Sequence, residues 1–150
     1  MGRISWGRLV LGTLVAAIIM FVTDGLIHEQ VVKSDWLAVY SGLRAAQPTA
    51  HGSSMAYFAF YELGRGFIAM LFYVTMRAFF GTGPKTAALA GIAGWIAFSL
   101  TGPAQFIPLG FFSTALWIKV GALHLLTSII ATIAGAATYK EPTVRQTVRV

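Results

Sequence analysis

The chain contains no cysteine, which excludes disulfides, thiolate metal centres and cysteine nucleophiles. Charge is also scarce. Only 11% of its 150 residues are Asp, Glu, Lys or Arg, against about a quarter in a soluble domain. With 57% hydrophobic residues, the composition reads as one membrane domain over residues 1–150. No GxSxG, HExxH or paired acidic metal motif occurs, so no enzyme template applies and no catalytic residue is assigned. GTGPKT ends like a phosphate loop, but Pro84 stands where glycine would have to precede Lys85. The net charge of +6 does not make a nucleic-acid binder, because the basic residues sit at the ends of apolar runs and form no stripe on a polar face.

What is present is a set of long apolar runs. Four segments, about 7–30, 55–79, 85–102 and 111–138, approach the roughly 20 residues that a helix needs to cross about 30 Å of hydrocarbon. The expected fold is therefore all-α, a polytopic bundle of four antiparallel transmembrane helices. The third run, rich in Ala and Gly, is the shortest, and it suits a re-entrant or closely packed helix. The loop 31–54 is the longest piece outside the spans, and its WLAVYSGL suits a short interfacial helix with Trp36 and Tyr40 at headgroup level. Between the second and third runs, Gly81 can end a helix in the left-handed conformation and Pro84 suits a first helical turn.

Lys and Arg set the direction. Arg3, Arg8, Arg77, Lys85, Lys140, Arg145 and Arg149 fall on one side, and the opposite loops offer Lys33 and Arg44. The positive-inside rule places both termini in the cytoplasm. A cleaved signal peptide would also begin with Arg3 and Arg8 before an apolar stretch. No small-x-small site follows, however, and Asp24 stands where one is expected, so the first helix is expected to remain.

Ionisable residues nevertheless occur inside the spans. With a rise of about 1.5 Å per residue, Asp24 lies about 24 Å above Arg8, Glu62 about 22 Å above Arg77, and His124 about 24 Å above Lys140. Three helices thus bring an ionisable group to one level, with Arg65 one turn from Glu62 and His28 one turn from Asp24. A charge facing lipid costs at least about 2.5 to 3.5 kcal/mol, so Asp24, Glu62, Arg65 and His124 are expected to meet inside the bundle. Two carboxylates and one guanidinium leave a charge of minus one, which a proton would cancel. Lys119 is expected to snorkel towards the outer surface. Small-residue spacings at Gly12 and Ala16, Ala90 and Gly94, and Ala131 and Gly135 mark close helix contacts.

A metal site is the rival use of the same region. Asp24 and His28, at i and i+4, with Glu29 and His51 would supply an oxygen and nitrogen shell. No cofactor is otherwise expected. The stretch YELGRGFIAMLFYVTMRAFFGTGPKTAALAGIAGW and the later GAATYKE resemble small uncharacterised bacterial four-helix membrane proteins, with GPKTA, the following W and the YKE as the most specific parts. The resemblance implies a bacterial inner-membrane setting and the four-span plan, and it carries no functional residues. The expected function is a non-catalytic membrane component, acting in the lipid bilayer as a homo-oligomer or beside other membrane subunits. Its alternatives are a proton or ion conductor, or small transporter, using the buried cluster, and a metal-dependent redox or hydrolytic protein.

Overall fold

The computed structural model describes residues 4–46 and 55–139. Among these the chain is helical apart from short turns. Helix α1 spans Trp6–Gln30, α2 Lys33–Ala46, α3 Met55–Phe80, α4 Pro84–Ala104 and α5 Thr114–Thr138. Four of them, α1, α3, α4 and α5, are long and apolar enough to cross a membrane. The residue types explain their persistence, since runs of Ala, Leu, Ile and Phe satisfy every backbone group within the helix, as hydrocarbon requires.

The helix ends follow local chemistry. Gly81 (φ 79°) and Gly83 (φ 142°) take the positive dihedrals of the turn after α3, which residues with a Cβ adopt only at a cost. Pro84 then opens α4, and the Thr86 hydroxyl donates to the Gly81 carbonyl at 2.8 Å. The last span begins at Thr114, later than the expected 111. The reason is Ser113, whose Oγ accepts from the Leu116 amide at 3.2 Å and caps α5.

The third run is longer than expected and irregular. Helix α4 is α-helical over Pro84–Trp95, π-helical over Ile96–Leu100 and α-helical again over Thr101–Ala104. Pro103 has no amide to offer the Ser99 carbonyl and crowds it, which accounts for a widened turn just before it. Side chains add bonds at this turn: the Thr101 hydroxyl donates at 2.9 Å to the Ile96 carbonyl, which the Thr101 amide also reaches, and the Trp117 indole donates to Leu100 at 3.1 Å.

The long helices form a ring in the order α1, α3, α4, α5, with α3 and α5 also meeting across the middle. At one end the ring is closed by small residues. A Cβ on Gly12 would lie 2.9 Å from the Gly135 carbonyl oxygen, one on Gly66 2.9 Å from the Thr13 carbonyl, and one on Gly91 2.8 Å from the Ser128 carbonyl. Ala16, Ala90 and Ala131 are fully buried, and Gly94 packs on Ala69. The small positions singled out in the sequence therefore all lie within the ring, alongside Gly66 and Gly91. Leu9, Met70, Tyr73 and Tyr139 complete this core. Tyr139 also accepts the Ser5 amide at 2.9 Å and carries the Arg77 guanidinium 4.5 Å above its ring.

The opposite end is looser. Val32, wholly buried, turns the chain from α1 into α2, while α2 itself has no buried residue. Trp36 stacks on His28 at 5.5 Å and on Tyr40 at 5.7 Å, so it is held against the bundle by His28. Lys119, expected to snorkel, is about half exposed and pairs with the similarly exposed Asp35 of α2 at 3.0 Å.

Candidate functional site

On α1 the repeating 3.6-residue turn puts Thr13, Ala17, Met20 and Asp24 on the buried face. On α3 it does the same for Glu62, Arg65, Gly66 and Ala69, and on α5 for His124, Ser128 and Ala131. The polar members of these faces meet at the level where the small-residue packing stops. Asp24, Glu62, Arg65 and His124 are 4%, 5%, 3% and 8% exposed, so all four are buried where the helices meet.

Arg65 organises the cluster. Its Nη1 donates to Asp24 Oδ2 of α1 and to both Glu62 oxygens, at 3.0 and 2.8 Å. Nη2 donates to Ser128 Oγ of α5 at 3.2 Å. One guanidinium thus joins three helices, a geometry that suits its planar fork and that a lysine point charge would not reproduce. The ring of Tyr61 lies 5.6 Å below the guanidinium carbon. Sequence reasoning did not find Tyr61 or the bond to Ser128. The spacing that placed Ser128 on the inner face was the only signal for the latter.

The histidines are arranged asymmetrically. His28 Nδ1 lies 2.7 Å from the Asp24 carbonyl oxygen, and because a carbonyl only accepts, the proton must sit on Nδ1. His124 Nε2 stands 3.3 Å from Asp24 Oδ2 without a formed hydrogen bond, and Asp24 Oδ1 has no partner either. The two imidazoles approach to 5.8 Å between ring centres. Asp24 and Glu62 against Arg65 give the pocket one excess negative charge when both histidines are neutral, so the arrangement can hold one proton or one external cation.

Of the metal set drawn from the sequence, Glu29 does not join Asp24 and His28. Glu29 follows His28 by one residue, a rotation of about 100° on a helix, and it points outward to pair with Lys33 at 2.9 Å with 66% of its side chain exposed. Asp24 faces the opposite way, into the bundle. His51 lies outside the described residues. Among those described, no three His, Asp or Glu side chains converge as a metal-binding group.

Two cavities open beside the cluster. The larger, about 630 Å³, is lined by the π-helical turn of α4, including Phe98, and by Tyr61, Trp117 and His124. The smaller, about 350 Å³, is bordered by Asp24, Glu29, Lys33 and Tyr40. His28, Trp36, Phe58 and Glu62 line both. Hydropathy could not show these spaces, because they depend on how side chains from several helices face one another. No protein-family model, curated protein or solved structure matches the chain.

Proposed function

We propose that this chain is a non-catalytic component of a bacterial inner membrane, four antiparallel spans with both termini in the cytoplasm, working with copies of itself or other membrane subunits. The orientation is supported by the placement of Lys and Arg, and the bacterial setting by the resemblance of the later helices. In this orientation the closed, small-residue end is cytoplasmic and the polar pocket lies in the outer half of the bilayer.

The observation that carries the reading is the bridging of Asp24, Glu62 and Ser128 by Arg65 above a closed core. The guanidinium ties α3 to α1 and α5, and the packing around Gly12, Met70 and Gly135 is tight beneath it. Partner contacts would use large side chains. The small residues are consumed inside the ring, whereas Val10, Leu14, Ile18, Phe60 and Phe67 face outward. Purification in mild detergent followed by light scattering is expected to give a particle larger than one chain. A monodisperse single chain would refute the proposal.

A second reading, a proton conductor, is favoured by the unpartnered Asp24 Oδ1 and His124 Nε2. Liposomes carrying a pH-sensitive dye separate the two. Under the first reading, wild type and Glu62→Gln leak equally little, and under the second, Glu62→Gln abolishes a flux that wild type shows.

A further inference from the structure

We infer that the paired cavities form a binding site for a hydrophobic organic cation, a protonated amine or quaternary ammonium group carrying apolar substituents. The first argument is charge. The pocket has two carboxylates and one guanidinium, and the neighbouring Glu29 and Lys33 cancel each other at 2.9 Å. Glu62 borders both cavities, so its carboxylate can face an occupant in either.

The second argument is unsatisfied hydrogen bonding. Asp24 is 96% buried by its 4% exposure, borders the smaller cavity, and has an oxygen with no donor. A buried carboxylate oxygen left alone is costly. When its ring is neutral, His28 adds a second acceptor at Nε2, because Nδ1 is committed to the Asp24 carbonyl. The cationic donor that could serve an anion is taken. Both Arg65 terminal nitrogens are bonded, which leaves the uncharged Trp36 indole, Ser99 hydroxyl and His124 imidazole as the unpartnered groups on the cavity residues that could donate.

The third argument is the wall. Trp36 and Phe58 line both spaces, and Tyr61, Phe98 and Trp117 line the larger. Aromatic faces attract a cation through their quadrupole, most strongly where water is excluded, and they offer apolar surface to its substituents. A neutral acyl chain would use the wall but leave the Asp24 oxygen unpaired. An anion would add to the excess negative charge.

The test uses two probes of the same shape and opposite charge, tetraphenylphosphonium and tetraphenylborate, titrated into the full-length protein in neutral detergent. Binding is read by equilibrium dialysis against a detergent blank and by quenching of tryptophan fluorescence. The cation is expected to saturate at one per chain and to bind at least about tenfold more tightly than the anion, equivalent to about 1.4 kcal/mol. Asp24→Asn is expected to weaken the cation about tenfold. Should that variant fail to fold, Phe58→Ala decides, since Phe58 is half exposed and outside the ion-pair cluster, and it is expected to weaken the cation severalfold. Equal binding of the two probes, or a cation affinity unchanged in Phe58→Ala, overturns the inference. These readouts report on a single chain, so they stand or fall separately from association with partners.

Discussion

Replacing Arg65 by Met tests whether one guanidinium holds three helices together. The side chain is 2% exposed and lies among carboxylates that are 6% and 7% exposed. Met fills similar length without charge, so the change removes the three bonds to Asp24 and Glu62 and the bond to Ser128. Removing one side of a buried ion pair costs about 3–5 kcal/mol, because the other side remains buried and uncompensated. Here two carboxylates are left, so the loss should fall in that range, a shift of roughly a hundredfold to a few thousandfold in the unfolding constant. The assay is reversible unfolding in mixed micelles, titrating the denaturing detergent and following helix content by circular dichroism. The triple variant Arg65→Met, Asp24→Asn, Glu62→Gln carries the argument further, since neutral amides no longer need the guanidinium. It should recover most of the loss. If Arg65→Met unfolds at the wild-type midpoint, or if the triple variant is no more stable than the single one, the cluster is not what ties α1, α3 and α5.

Two further outcomes are expected from the packing and the charge placement. Gly135→Ala should destabilise the bundle by about 1–3 kcal/mol, since its Cβ would meet the Gly12 carbonyl at 2.6 Å and Met70 Sδ at 2.9 Å. Gly121→Ala, with nothing within 4 Å, should be near neutral in the same titration, and equal effects would refute the account of the closed end. Because the chain has no cysteine, single cysteines at Ser41 and Thr82 report the orientation directly. A membrane-impermeant maleimide added to spheroplasts should label the first and spare the second, and the reverse pattern would invert the topology.

Much of the plan can be read from residues taken in order. The spans follow from apolar length, and the common level of Asp24, Glu62 and His124 follows from a fixed rise per residue together with the cost of a charge in hydrocarbon. Gly81 and Pro84 announced their turn through their own dihedral limits. Glu29 shows where such reading stops, because spacing permitted it a place beside Asp24 and His28, while its exclusion from the bundle, where it pairs locally with Lys33, depends on which face α1 turns to α3 and α5. Lys119 shows the same limit, for Asp35 reaches it only once α2 is laid against α5.

What the sequence determined by itself was local and periodic: helix, length, depth, and the requirement that buried charges find company. Only the tertiary structure decided that Arg65 would take Asp24, Glu62 and Ser128 together, that small residues would close one end, and that aromatic rings and the widened turn of α4 would line cavities at the other. The physical reason is that the rise and rotation of a helix are set by its own backbone, whereas the facing of one helix to another is set by the summed fit of side chains from every neighbour at once.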